Sequence, residues 1–328
     1  MKNDFWSERN VFVTGASGML GSWVVQYLVS LGAKPTILLR DGVPSSRLYE
    51  MKLDSKVNVV RGSVEEYWVL ERTLNEYEIE TVFHLGAQTI VGAANRSPLG
   101  TFRSNIEGTW NVMEASRNSS LVGRVIFASS DKAYGDQKQL PYTEDAPLEG
   151  RHPYDVSKSC SDLIAQSYFY TYGLPVSVAR CGNLYGPGDL NFNRIIPGTI
   201  KSILSNENPI IRSDGTYIRD YLYIKDAAEA YLTLAENTSR KEIVGNAFNF
   251  STANKLTVLE VVEAVLDSMN SSLEPRILNE AKGEIKNQYL SSKKAKELLD
   301  WESKYSIKEG LAETVPWYEK YIKIHYNG

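Results

Sequence analysis

The stretch Val11-Phe12-Val13-Thr14-Gly15-Ala16-Ser17-Gly18-Met19-Leu20-Gly21 constrains the fold more than any other part of the chain. A short β-type run ends in a glycine turn. The turn opens directly into an apolar segment of helical spacing, residues 19–31, which Gly32 stops. Glycines at such a junction permit a tight turn. They also let a pyrophosphate approach the backbone N–H groups of a helix N-terminus, where the helix dipole favours negative charge. On that reading Gly15, Ser17, Gly18, Met19, Leu20 and Gly21 face the phosphates of a dinucleotide. The plainer alternative is a tight strand-to-helix turn that binds nothing.

The alternation continues for about 180 residues. Residues 36–39, 57–60, 81–85, 124–128 and 176–180 read as strands, and 64–77, 101–119 and 154–172 as helices. Short, nearly continuous apolar strands between helices imply a parallel sheet covered on both faces. The expected class is α/β: a Rossmann-type doubly wound parallel sheet, with ligands beyond the carboxyl ends of its strands. After residue 182 the pattern changes. Pro187-Gly188, residues 191–194, Pro209 and Asp214-Gly215 mark loops, and helices are expected near 195–205, 225–236, 257–269, 292–299 and 307–324. Ser306 and Glu309 have capping-box spacing before the last helix. The expected division is 1–182 as mainly the dinucleotide-binding domain, with segments such as 220–236 returning to it, and 183–328 as mainly a smaller substrate-binding domain.

Composition narrows the function classes. The chain has 328 residues, which at roughly 150 per domain fits two domains. With 36 Lys and Arg against 40 Asp and Glu, the formal charge is −4, the wrong sign for a general nucleic-acid binder. A local cationic site for a phosphorylated small molecule remains open. Cys160 and Cys181 are too few for a disulfide framework and read as small buried hydrophobes in a reducing compartment. The first ten residues lack an apolar signal core. The uncharged run 163–179 carries Gln166, Ser167, Thr171, Gly173 and Pro175 and makes a poor membrane span. No His/Cys cluster has metal-ligand spacing. The expectation is a soluble, cytoplasmic, metal-free protein.

Two further features carry chemistry. Arg40-Asp41 lies about twenty residues past Gly21, at the end of the second strand. A carboxylate there would hydrogen-bond the ribose 2′-hydroxyl of NAD and an arginine would pair the 2′-phosphate of NADP, so both cofactors remain open. Tyr154-x-x-x-Lys158 opens a long helix that directly precedes a strand, and residues four apart share a helix face. The same spacing at Tyr134/Lys138, Tyr221/Lys225 and Tyr289/Lys293 lacks that context. A phenol near pKa 10 must drop by about three units, about 4 kcal/mol, to act as a base at pH 7. The charge of Lys158, with that of an oxidised nicotinamide, could supply the drop.

Taken with Asn105 and the strand end Ser129-Ser130, these motifs resemble the extended short-chain dehydrogenase/reductase superfamily. The likeness runs through most of the chain. Arg180-Cys181-Gly182-Asn183-Leu184-Tyr185-Gly186-Pro187-Gly188 and Arg219-Asp220-Tyr221-Leu222-Tyr223-Ile224-Lys225-Asp226 resemble its nucleotide-sugar branch. Ser130-Asp131-Lys132 resembles the 4,6-dehydratases of that branch, in their CDP-glucose form. The segments 83–88 and 152–158, with Pro98 and residues 105–109, resemble the same group. The resemblance implies catalysis by Ser130, Asp131, Lys132, Tyr154 and Lys158. It implies a cofactor, NAD or NADP, touching Arg40, Asp41, Ser63, Val64, Leu85, Ala87, Tyr154 and Lys158 besides the glycine turn. It implies a nucleotide-diphosphate sugar held by Gln88, Ser130, Asn183, Arg194 and Arg219. An arginine and an asparagine are also reasonable donors to phosphate oxygens on chemical grounds. Tyr185, Tyr217 and Tyr223 are candidates for stacking on the base. Ser63 stands where the family often has an adenine-contacting aspartate, Gly86-Ala87 replaces a frequent Ala-Ala, and Arg40 differs from the usual NAD-type acid.

The implied reaction is 4,6-dehydration of an NDP-hexose through transient hydride transfer. A nucleotide-sugar 4-epimerase would need Tyr154 and Lys158 but neither Asp131 nor Lys132. A non-catalytic binding protein would need none of them. By analogy with the family, a homodimer would pair the helices at about 101–119 and 154–172.

Overall fold

The computed structural model describes residues 4–252, 254–280 and 285–326. Its centre is a parallel sheet. Six of its strands are β1 (Asn10–Thr14), β2 (Lys34–Leu39), β3 (Asn58–Arg61), β4 (Thr81–His84), β5 (Arg124–Ala128) and β6 (Val176–Cys181). With Ala247–Phe250 at one edge, the spatial order is Ala247–Phe250, β6, β5, β4, β1, β2, β3. Strand neighbours pair in register, Val13 with Ile37 on one side and with Phe83 on the other.

The alternation of side chains explains why the strands are apolar throughout. Val11, Val13, Ile37, Leu39, Phe83 and Ile126 join one core. Phe12, Leu38, Val82, Val125, Phe127 and Val178 join the other. Each strand thus buries successive residues on opposite faces, as a sheet covered twice must. The helices Met19–Ser30 and Ile224–Asn237 pack together over the first face, and Tyr67–Glu76, Gly108–Asn118 and Pro153–Tyr172 cover the second. The α/β doubly wound fold read from the sequence is therefore the observed one.

Of the later chain, Ile224–Asn237 and Ala247–Phe250 join the sheet and its first layer, and other helices form a group of their own. Helices Ile195–Leu204, Val258–Ser268 and Ile307–His325 pack on one another. Beside them lie short strand pairings: Asn183–Tyr185 with Tyr221–Tyr223, and Ile218–Arg219 between Leu256–Thr257 and Asn287–Gln288. Ser306 and Glu309 form the expected capping box, and Thr257 with Glu260 forms a second. Cys181 is buried and Cys160 half-buried, and both are free thiols. No helix of the described residues is long and apolar enough to cross a membrane.

Two elements differ from expectation. The helix read at 101–119 begins at Pro98, and its Arg103–Glu107 turn is π-helical. Asn105 explains the wide turn. Its side chain is drawn to the backbone of Gln88 and to Ser157, and its carbonyl accepts from Thr109 and Ser161 hydroxyls. The edge strand Ala247–Phe250 had no counterpart in the reading. Its central Asn249 breaks the apolar run, yet that asparagine is buried and fully used. It donates from its N–H to Glu144, donates from its amide to the Tyr142 carbonyl, and accepts from the Tyr134 hydroxyl.

Candidate active site

The sheet order reverses at β1, whose two neighbours are β2 and β4. Ligands of open α/β sheets bind outside such a switch point, and the candidate residues collect there. The glycine turn is built for close approach. Gly15 has φ +74°, and a Cβ there would stand 2.7 Å from the Gly86 backbone nitrogen beyond β4. A Cβ on Gly21 would stand 2.1 Å from the Gly15 carbonyl oxygen, so only glycine lets the helix sit on the turn. Gly18 is exposed and caps the helix with no side chain, leaving the N-terminus to which Ser17, Met19 and Leu20 belong open on that side. This cradle of small residues at a helix start fits a pyrophosphate.

A buried chain of hydrogen bonds locks the two sides of the switch point. Thr14 Oγ1 accepts from the N–H groups of Leu85 and Gly86 at 3.1 and 3.0 Å. Its own hydrogen therefore goes to His84 Nδ1, 2.9 Å away. His84 is then protonated on Nε2 and donates to Thr109 Oγ1 at 3.1 Å, and Thr109 donates onward to the Asn105 carbonyl at 2.6 Å. Burial, and next the charge of Lys158, push His84 down to about 3, so it stays a neutral structural group. The sequence offered no signal for this chain beyond a lone histidine.

At the outer end of the cofactor cleft, Arg40 and Asp41 are both exposed and bond each other at 2.7 Å. One carboxylate and one guanidinium thus stand together at the tip of β2. Ser63 follows β3, where its N–H donates to Glu66 Oε2, and Val64 packs under Gly108. Leu85 and Ala87 follow β4 and are half-buried. Gln88 is held through its backbone, its N–H donating to Asn105 Oδ1 at 2.7 Å.

The catalytic candidates meet beyond β5. Ser129 donates to Asp162, which is locked in a buried bidentate pair with Arg180. Ser130 caps the turn Asp131–Tyr134, accepting from the Lys132 N–H at 3.2 Å. Its hydroxyl donates to Asp131 Oδ1 at 3.0 Å and also faces the Tyr154 phenol. The other oxygen of Asp131, Oδ2, is buried and makes no hydrogen bond. The ammonium of Lys132 donates to Gln288 Oε1. Gln288, from the strand Asn287–Gln288, was not singled out in the sequence, and no local spacing points to it.

Tyr154 and Lys158 sit on the first turns of Pro153–Tyr172, both buried. Their electrostatics differ from the expectation. Burial pushes the phenol up to about 12. Ser130 and then Arg194 pull it down, while Asp131 and Asp155 push it up. The Lys158 ammonium instead donates to the Ala128 carbonyl at 2.8 Å, and burial lowers it to about 8. Burial of the phenol is thus the effect that the charges expected to lower it, those of Lys158 and of an oxidised nicotinamide, have to overcome.

Three of the five substrate candidates share one cavity, and Gln88 and Ser130 are not among its lining residues. Asn183, Arg194 and Arg219 line a space of about 160 Å3 together with Tyr185, Pro197, Tyr221 and Val258. Arg194 pairs with Asp189 at 3.0 Å, and the Tyr318 hydroxyl donates to the Asp189 carbonyl. Arg219 is buried and donates to the carbonyls of Ile218 and Lys286. Of the tyrosines named for stacking, Tyr223 is fully buried and donates to Glu313, so it cannot meet a ligand. Tyr185 packs against it, with only its edge on the cavity, and Tyr217 is half-buried. Among the described residues no group of His, Cys, Asp and Glu could hold a metal ion.

Comparisons with known proteins agree with this geometry. The family described as GDP-mannose 4,6 dehydratase matches residues 12–314. A CDP-glucose 4,6-dehydratase of Salmonella typhimurium is 27% identical, covering 98% of this chain and 93% of its own. Among solved structures, a dTDP-glucose 4,6-dehydratase of Bacillus anthracis in complex with NAD is 27% identical with a TM-score of 0.83, covering 95% of this chain and 97% of its own. A UDP-glucose 4-epimerase of Thermotoga maritima with UDP-glucose is 29% identical with a TM-score of 0.86, covering 95% and 99%. The switch-point cleft, the tyrosine–lysine helix and these likenesses agree, and the chain belongs to the GDP-mannose 4,6 dehydratase family.

Proposed function

We propose that the chain is a nucleotide-sugar 4,6-dehydratase, converting a CDP-glucose-like NDP-hexose to the NDP-4-keto-6-deoxyhexose with NAD or NADP bound. The observation that carries the reading is the turn Asp131–Tyr134 at the end of β5, which brings the Asp131 carboxyl onto Ser130, itself bonded to Tyr154, and carries Lys132 as the next residue. An epimerase has no work for that acid and base.

The residues divide the chemistry as follows. The glycine turn would hold the pyrophosphate of a nicotinamide dinucleotide with Tyr154 and Lys158 toward its ring, and the group, when bound, would supply hydride acceptance from C4 and its return to C6. Tyr154 takes the proton of the 4-hydroxyl, with Ser130 bonded to the same oxygen and Arg194 already drawing the phenol down. The ketone at C4 acidifies C5. Lys132 removes the C5 proton and later returns it. Asp131, whose Oδ2 is unpartnered, protonates the departing 6-hydroxyl. The proton gained by Tyr154 balances the one Asp131 gives up, so one water is the net loss. Asn183, Arg194 and Arg219 hold the diphosphate. Gln88 lies at the sugar end.

We further assign residues 1–182, with 220–236, mainly to the cofactor and 183–328 mainly to the nucleotide sugar. The exposed apolar side chains Leu99, Trp110, Leu163 and Tyr170, on the helices covering the second sheet face, favour a second copy of the chain as partner. The two free thiols suit the cytoplasm.

Substitution of Lys132 tests the reading. In Lys132→Ala, water loss should fall at least about a hundredfold while substrate still reduces the bound cofactor, seen as absorbance at 340 nm. Unchanged turnover in that variant would support the epimerase reading, which the likeness to the Thermotoga enzyme keeps in play.

A further inference from the structure

Gln288 is fully buried and uses both ends of its amide on the catalytic turn. Its Nε2 donates to the Asp131 carbonyl at 3.0 Å, and its Oε1 accepts from the Lys132 ammonium. A primary amide used this way has one orientation. The strand carrying it also pairs with the strand of Arg219, which lines the cavity. Gln288 stands in register with Arg219, and Arg219 Nη1 donates to the carbonyl of Lys286, two residues before Gln288. Leu290 N–H donates to Asp220, and Tyr142 N–H to the Tyr289 carbonyl, fixing the strand on its far side. One short segment therefore touches both the arginine assigned to the diphosphate and the turn assigned to acid–base chemistry.

We propose that Gln288 is a positioning residue that holds the Lys132 amine and the Asp131 backbone in register with the diphosphate arginine Arg219. The proposal rests on the dehydratase reading for its catalytic consequence, but its geometric claim does not. An uncharged acceptor favours the charged form of an ammonium less than a carboxylate in the same place would, so replacing the amide changes where Lys132 titrates. Asp131 on the same turn and Asp155 on the neighbouring helix also bear on Lys132. They set the background against which the amide acts.

Two variants test it, Gln288→Met, which keeps the length and loses both bonds, and Gln288→Glu, which replaces the neutral acceptor with a charge. The first readout needs no substrate. The pH midpoint of Lys132 acetylation, followed by peptide mass spectrometry, should fall by about one unit in Gln288→Met and rise in Gln288→Glu. The second is turnover. In Gln288→Met, water loss should fall about tenfold with KM for the NDP-hexose nearly unchanged and cofactor reduction retained. In Gln288→Glu, activity should return at higher pH. Midpoints unchanged in both variants would overturn the proposal. So would a parallel loss of KM, cofactor reduction and water loss in folded protein, which marks a merely structural glutamine. If Gln288→Met does not fold, the Gln288→Glu midpoint decides alone. If the wild-type chain removes water from no NDP-hexose, the dehydratase reading fails while the labelling midpoints still decide on Gln288.

Discussion

Tyr154 carries the heaviest chemical load in the proposed reaction, and burial works against that role by pushing the phenol up to about 12. Cationic charge must therefore arrive with the ligands, which couples proton removal to a filled site. Tyr154→Phe keeps the ring and removes only the hydroxyl. Cofactor reduction by substrate should fall at least about a thousandfold, with circular dichroism unchanged. His84 is the opposite case, a buried group that must stay neutral. Its folded value, about 3, lies below the ordinary 6.5, so the unfolded chain binds the proton first as pH falls. Its contribution to stability is full above pH 6.5 and is lost progressively toward pH 3, at up to roughly 1.4 kcal/mol per unit. Urea unfolding of wild type between pH 6.5 and 4.5 should show a steeper loss than His84→Gln, and equal slopes would count against a neutral His84. Tyr154 and Lys158 were legible in the sequence because their spacing puts them on one helix face. His84, Asn105 and Gln288 act through partners 17 to 157 positions away, and no local pattern encodes such pairings.

The glycine turn is the element whose geometry leaves least freedom. A Cβ on Gly21 would sit 2.1 Å from the Gly15 carbonyl oxygen, whereas one on Gly42 would meet nothing within 4 Å. Gly21→Ala should destabilise the chain by roughly 3 kcal/mol or more and abolish NADH or NADPH binding, while Gly42→Ala should do neither. Denaturant melts and cofactor fluorescence titrations compare the pair. The turn, the strands β1, β2, β4, β5 and β6, and the helix Pro153–Tyr172 could be read because apolar runs and glycines mark them locally. The π-helical turn Arg103–Glu107 and the edge strand Ala247–Phe250 could not. One is bent by Asn105 reaching to Gln88 and Ser157, and the other is an apolar run interrupted by an asparagine whose partners lie more than a hundred residues away.

At the scale of the whole molecule, the parallel order places the ends of β1, β4, β5 and β6 on one rim. The sequence motifs named Asn183, Arg194 and Arg219 separately, but only the fold shows that they share a cavity. The exposed side chains Leu163 and Tyr170 on the outer helix face belong to this scale too. Leu163→Glu should convert a dimer to a monomer in light scattering, and a monomeric wild type would remove that proposal. The central claim, that the cleft removes water from a nucleotide sugar, is tested most directly by incubating the purified chain with CDP-, dTDP-, UDP- and GDP-glucose deuterated at C4 and weighing the products. The expected result is one NDP-hexose that loses a single water and carries the deuterium at C6; an isomer of unchanged mass would contradict it.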